Sequence, residues 1–516
     1  MAAPSPTSAH RKITEMRVTT AVLIIGGSSY FSMLAGVLRS IIVMRLIGPH
    51  AQGIRRIVDI GIKYLFNAHL GILHGTNKAV SIYIGKGDES RVEEVEDVGI
   101  TWTIGLTVIA AVGMAIYGLT NPTGDITKAV AIIIGAGWLL AQQTYTLYRT
   151  IIRAWGNFGA LGIVGAIDTI ATFALTILGA WKYGVLGAMA GTLAAWCISL
   201  LSLHLFAPLY IRPRFKPRVA LRLALSGLPI AAVIFSDTLL RTIDGAIIGH
   251  YLGDYSMGLY SVAMQMAAYL FAIPESAGFV IWPRILQAYG AADRDPDELR
   301  RQIVMPTLVS AFFMPFIAGL AYVMLPPLVS GILPQFALST GAAQTLAMAS
   351  VFLALPMATN SLLIANNREF MAVVVKLIGA GVSGIGCLYF VRNHGTLEQL
   401  AAAASVGYAL TAVASLAVVL PRYAQGFYQT AKLFIFALAP FVYACAVLYL
   451  SYLTASIFVA PSPGSWTWTI TRVLVFTLLM IPLLSYGNRK TLLLTQLSLM
   501  YNSRRRKRGH HNETND

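Results

Sequence analysis

Asp237, Arg241 and Asp244 stand four and three residues apart inside an apolar run, a spacing that puts all three on one face of a helix. A charge at the bilayer centre costs about 2.5–3.5 kcal/mol on insertion scales, so such a face turns to a cavity or a partner and away from lipid. Two chemistries are open to it. Arg241 either pairs internally with an aspartate and locks the helix, or the trio forms a polar wall that binds a charged substrate. Asp59 and Lys63 repeat the four-residue spacing on an earlier span, where they neutralise each other or serve a facing lobe. Arg39, in the outer half of the first span, has no acid three or four residues away. It must look to another helix, or to a substrate, for its counter-charge.

These six residues, Arg39, Asp59, Lys63, Asp237, Arg241 and Asp244, are the candidate substrate-binding set. Glu275, directly after Pro274, reads as a buried acid at a kink where proline frees a backbone carbonyl. It is the candidate for ion coupling through a proton or cation, with a plain structural break as the other reading. Arg45, Lys78 and Lys376 lie near span ends and are expected to snorkel.

Other chemistries find no seat. His69 and His74 are five apart, a spacing that does not stack two ligands on one helical face, so no metal is expected. The 3 cysteines, Cys197, Cys387 and Cys445, are scattered through apolar runs and suggest neither a metal site nor a disulfide framework. No phosphate-binding GxxxxGK[ST] loop is present for ATP hydrolysis. No catalytic residue and no cofactor is expected.

The elements that must hold these charges are membrane spans. Of the 516 residues 56% are hydrophobic and 12% charged, where a soluble domain would be about 25% charged. Apolar runs of about 20 residues recur along nearly the whole chain, giving about fourteen spans and an all-α polytopic membrane protein. The formal charge of +16 is spread between spans instead of gathered in a module, so orientation explains it better than nucleic-acid binding.

One set of connections carries Arg11, Lys12 and Arg17, the cluster from Arg212 to Arg222, then Arg284, Arg294, Arg300 and Arg301, and a terminal run from Arg504. The other set holds mainly Arg55, Arg56, Lys128, Lys182 and Arg392, and includes Ser462. By the positive-inside rule both termini are cytoplasmic, in a multi-pass cytoplasmic (plasma) membrane protein.

The stretch IGPHAQGIRR, with Gly48 and Gly53, is answered by LGDYSMGLYS, with Gly253 and Gly258, at an offset of 205 residues. That offset carries the first span onto the seventh and preserves orientation, which makes the repeat parallel with its axis along the membrane normal. RAWGNFGAL and LIANNREFM echo each other more weakly through Asn157 and Asn367. The expected organisation is two six-helix lobes, 1–222 and 223–430, followed by 431–516 with two further helices and a basic tail.

MRLIGPHAQGI, an acidic and basic second span, RAWGNF, and IDGAIIGHYLGDYSMGLYSVA together resemble the polysaccharide exporters, lipid-linked oligosaccharide flippases of the multidrug/oligosaccharidyl-lipid/polysaccharide (MOP) exporter superfamily. The similarity runs over about residues 18 to 430 and is best marked at Asp244, Gly245 to Gly249, and Gly253 to Tyr260. The first repeat departs from it, since Arg55 and Arg56 stand where an aromatic is expected. The resemblance implies two six-helix bundles alternating between inward and outward openings, and a polyprenyl-pyrophosphate-linked glycan as substrate. It also implies membrane lipid, with a polysaccharide polymerase and glycosyltransferases as candidate partners. Three alternatives stay open: a flippase for the lipid-linked peptidoglycan precursor, a multidrug or cation antiporter of the same superfamily, and a membrane-embedded glycosyltransferase or polymerase. The last is disfavoured because the long outside loops carry no Asp, Glu, Lys or Arg.

Overall fold

The computed structural model describes residues 18–120, 124–209, 212–290, 296–365, 368–423, 426–462 and 464–491, with the side chains of 18–30, 277–304, 358, 361, 362, 365, 422, 423 and 490 excepted. Arg11, Lys12, Arg17, Asn367 and the run from Arg504 lie outside the described residues, as do the side chains of Arg284, Arg294, Arg300 and Arg301.

Among the described residues the chain is helical throughout: α1 (Val18–Leu65), α2 (Ile72–Lys86), α3 (Glu89–Thr120), α4 (Ile126–Ala154), α5 (Phe158–Phe206), α6 (Pro217–Tyr251) and α7 (Gly253–Gly290). Next come α8 (Pro296–Ile332), a 3-10 turn (Pro334–Ser339), α9 (Thr340–Ala354), α10 (Met357–Ala365), α11 (Glu369–Arg392), α12 (Leu397–Tyr423), α13 (Phe427–Phe458) and α14 (Trp466–Thr491). The polytopic all-α expectation is borne out, with 12 stretches among the described residues long and apolar enough to cross a membrane. Their outward faces are apolar at helical spacing, as in Leu34, Leu38, Ile42 and Leu46 of α1, which suits hydrocarbon as solvent.

Two of those stretches hold two legs each. In α5 the helical path breaks at Tyr183 and Gly184. The arms then return alongside each other: Thr176 and Thr192 share a hydrogen bond of 3.1 Å, and Gly179 packs its backbone on that of Gly187. In α1 the break is at Gly48, whose φ of 76° and ψ of 175° suit only glycine, with Pro49 starting the next arm. Arg39 lies within electrostatic reach of Arg55 and Asp59, though a straight helix would set residues 39 and 55 about 24 Å apart. Counting these hairpin arms gives about fourteen legs, in line with the spans read from the sequence.

The second leg is not the continuous helix expected over 57–84. It stops at Leu65 and restarts at Ile72, with Leu70 and Gly71 both at positive φ. Gly71 and Gly75 press against the backbone of Leu223 and Gly227 in α6, and a side chain on either glycine would collide there. The break thus lets this leg bend into close contact with its neighbour.

The glycine repeat has a physical meaning. Gly253 turns α6 into α7 at φ 79°, matching Gly48 at φ 76°. Past each turn the arms cross so closely that a Cβ on Gly53 would overlap the carbonyl of Asp254, and a Cβ on Gly258 would overlap that of Pro49. The two contacts exchange under the 205-residue offset, so both turns stand at one end of the molecule, here called the turn face, in a reciprocal pseudo-twofold crossing. Lys128 of α4 adds an ion pair to Asp254 at 2.7 Å on the same face.

Asn157 caps α5 by accepting from the backbone N–H of Ala160 at 3.2 Å. At the opposite end of the bundle the connection before α6 is strapped to the start of α3, where Asp97 accepts from the backbone N–H of Arg212 and pairs with Arg214, and Glu94 pairs with Lys216.

Candidate functional site

Leg seven, α6, carries the first cluster at mid-length. Asp237 accepts from Arg241 at 2.8 Å, the i,i+4 pair expected from spacing, and also from Lys376 of α11 at 2.9 Å. The Arg241 guanidinium lies 3.8 Å from the ring centroid of Phe271 in α7, a cation–π contact that holds its plane. Its Nε is buried with no partner. These groups line a cavity of about 330 Å³, together with Glu275 and Asn360. The two readings of the α6 face therefore hold at once: Arg241 is ion-paired within its helix and also walls a cavity.

The second cluster lies on the arm of α1 that follows Gly48. Asp59 is held between Arg56 and Lys63, each at 2.9 Å. Arg55 adds a further cation within reach of Arg39 and Asp59. Arg39 itself makes no ion pair among the described residues, and its Nε is buried without a partner. Its surroundings are Tyr269 of α7, whose hydroxyl donates to the Gly36 carbonyl at 3.1 Å, and Asp168 of α5, which accepts from Ser199 at 2.7 Å.

The clusters meet across the two repeats. Lys63 is within electrostatic reach of Arg241, and beside it Thr242 donates to the Tyr64 hydroxyl at 3.0 Å. The structure thus brings Arg39, Asp59, Lys63, Asp237 and Arg241 into one belt of charge in which basic groups outnumber acids. That belt favours an anion that can replace the missing counter-charges.

Four sequence expectations require correction. Asp244 does not share the cavity: it is fully buried one turn further along, accepting from the Tyr260 hydroxyl at 2.6 Å and the Gly245 N–H at 2.8 Å. Seven residues from Asp237 is nearly the same face, but α7 packs over that end of it. Glu275 is not buried, since its side chain is exposed at the cavity, and α7 runs unbroken through Pro274. Lys376 does not snorkel. It is 5% exposed and points inward to Asp237, whereas Arg45 and Lys78 are exposed as expected. His69 and His74 do meet, with ring centroids 5.4 Å apart, because the chain between them leaves the helix at Leu70 and Gly71. Among the described residues no group of three or more His, Cys, Asp or Glu could hold a metal ion.

Sequence reasoning missed Lys376, Arg55 and Arg56 as members of the belt. The signal for the arginines was present in their spacing from Asp59, one turn away. Lys376 carried none, since only the packing of α11 on α6 decides where it points.

Residues 101–335 match the profile of a family described as polysaccharide biosynthesis protein. No curated protein matches the chain. Among solved structures, the lipid II flippase MurJ in an inward closed conformation is similar at a TM-score of 0.66 and 14% identity, covering 90% of this chain and 98% of that one. A multidrug resistance MATE family transporter of the MOP superfamily, outward-facing, matches at 0.58 and 15%, covering 82% and 99%. A MOP superfamily transporter from Pyrococcus furiosus Vc1, described as having a binding pocket of reversed polarity, matches at 0.57 and 14%, covering 83% and 98%. The profile matched over residues 101–335 is a polysaccharide biosynthesis family, in line with the resemblance read from the sequence, and the fold is the one these transporters share.

Proposed function

We propose that the protein is a flippase that moves a polyprenyl-diphosphate-linked oligosaccharide or polysaccharide repeat unit across the cytoplasmic membrane by alternating access. The observation that carries this reading is the base-rich belt at mid-membrane, in which Arg39 makes no ion pair among the described residues and Arg241 and Lys376 share one aspartate. Charge left unpaired at that depth is costly unless a substrate neutralises it. A diphosphate does so well, because guanidinium forks bind phosphate oxygens through paired, charge-assisted hydrogen bonds.

In this reading Arg39, Lys63 and Arg241 hold the diphosphate, and Asp59 and Asp237 keep the bases aimed. Glu275, exposed beside Arg241, is the ion-coupling candidate. Asp244 acts from within the lobe by fixing α6 on α7 through Tyr260. The moving bodies are the lobes 1–222 and 223–430, with 431–516 appended and both termini cytoplasmic. The reciprocal glycine crossing and the Lys128–Asp254 pair form the closed gate on the turn face. The glycan crosses between the lobes while its polyprenyl tail stays in lipid, so the transfer makes and breaks no covalent bond.

The test is translocation of lipid-linked glycan in vesicles. Arg39→Glu and Arg241→Glu proteins should insert at parental abundance and fail to transport. Parental rates in both would remove the cavity assignment. Competition between a polysaccharide-type and a peptidoglycan-type lipid diphosphate in the same vesicles then separates the two glycans that this chemistry suits.

A further inference from the structure

Arg472 lies in α14, six residues past its start at Trp466, and so about 9 Å into the membrane from the turn face. That end of α14 belongs to the turn face because Gly464 lies against Ser330 at the end of α8, and Gln335 in the following turn reaches Gly48. Arg472 makes no ion pair among the described residues. α13, α14, α9 and the stretch 305–339 contain no Asp or Glu. Glu398 of α12 lies against Gly341 at the start of α9.

The guanidinium lies beside a T-shaped pair of rings, 5.5 Å from the centroid of Tyr452 and 5.9 Å from that of Trp468, and its Nε is buried with no partner. It opens on a groove of about 500 Å³ bounded by Tyr322 and Gln344 on the polar side and by Val323, Met348 and Leu448 on the apolar side. Gln344 is fixed by donating to the Tyr322 carbonyl at 2.9 Å.

An oriented cation less than two turns from the end of α14, beside a tyrosine and a tryptophan of the kind that gather at membrane interfaces, is within snorkelling reach of lipid headgroups. The apolar wall beside it runs on to lipid-facing Tyr449, which is 67% exposed. A small anion would satisfy the charge and leave that wall wet, whereas an aromatic cation would be repelled. We propose that the groove between α8, α9, α13 and α14 is a binding site for the phosphate headgroup of a membrane lipid in the turn-face leaflet. The site is separate from the charge belt and does not rest on the flippase reading. Its shared chemistry is a lipid phosphate, supplied either by bulk anionic phospholipid or by a polyprenyl phosphate.

The test is native mass spectrometry of the full chain in detergent, titrated with phosphatidylglycerol, undecaprenyl phosphate or inorganic phosphate. At least one lipid should remain bound to the parent protein, with affinity falling roughly tenfold in Arg472→Gln as one charge-assisted contact is lost. Arg472→Lys should lose less. Met348→Trp, which fills the groove and leaves the cation in place, should also lose the lipid, and it serves should Arg472→Gln fail to fold. Whichever lipid displaces the other identifies the source. Equal lipid occupancy on the parent, Arg472→Gln and Met348→Trp would overturn the site, as would inorganic phosphate binding as tightly as either lipid.

Discussion

The two halves of the charge belt solve the same electrostatic problem differently. On α6 one acid, Asp237, is shared by two bases from different helices, Arg241 and Lys376, and a ring of a third helix stacks on the arginine. On α1 one acid, Asp59, is shared by two bases of its own helix, and two further arginines, Arg39 and Arg55, stand nearby and make no ion pair among the described residues. With Glu275 at the same cavity offsetting the second base, the α6 cluster is close to neutral, and it is tied to the packing of its lobe. The α1 cluster is left with surplus positive charge. An anion therefore gains most at the α1 side, while the α6 side supplies a fixed geometry.

The sharpest way to break this contrast is charge reversal on each side. Arg39→Glu should lower vesicle transport by roughly a hundredfold, the loss of about two charge-assisted contacts, with no rescue from any single change on its own span. Arg241→Glu should be as damaging, but the double variant Arg241→Glu with Asp237→Arg should recover part of the activity, because that pair lies within one helix. Changing Asp244 to Arg in place of Asp237 should not rescue, since Asp244 is committed to Tyr260. Rescue through Asp244 would show that the α6 face is organised as its spacing alone suggests.

The gate is the next test. Gly53→Leu or Gly258→Leu puts a side chain where the facing backbone already lies, and overpacking of about 1–3 kcal/mol at the turn face should cut transport roughly thirtyfold. The two variants should behave alike because their contacts are reciprocal. A large effect of one and none of the other would deny the pseudo-twofold crossing.

Much of this was legible in the chain. The spans, the Gly48–Gly253 offset and the Asp237–Arg241 pair follow from hydropathy, glycine chemistry and the i,i+4 rule. What escaped was set by tertiary contact. Nothing in its own helix tells Lys376 to face inward, and Asp244 has the spacing of a cavity residue but is covered by α7. His69 and His74 meet only because the second leg breaks, and that break answers to the close approach of α6 at Gly227.

Lys376→Met and Lys63→Met sharpen the comparison further. Removing Lys376 leaves Asp237 with a single base at a buried site, so transport should fall roughly tenfold and thermal stability should fall with it. Lys63 is partly exposed and its acid keeps Arg56. Lys63→Met should lower transport less than Lys376→Met does and leave the melting temperature nearly unchanged. Equal loss of stability in both would mean that the α1 cluster is as structural as its α6 counterpart.

The smallest effect belongs to the ion pair that joins the halves at the turn face. Lys128 and Asp254 are half-buried and 2.7 Å apart, and pairs near a surface contribute about 0–1 kcal/mol. Lys128→Ala should then shift the balance between closed and open turn faces by roughly threefold, without removing the glycine crossing beneath it. That shift can be read as faster labelling, from the turn-face side, of a cysteine introduced at Ala51 in a variant lacking the native cysteines. The charge-exchanged variant, Lys128→Asp with Asp254→Lys, should restore the parental labelling rate, because the pair acts through its opposite charges and not through the identity of either residue. If the exchanged variant labels as fast as Lys128→Ala, the contact matters for helix capping at α7 and not for holding the two repeats together.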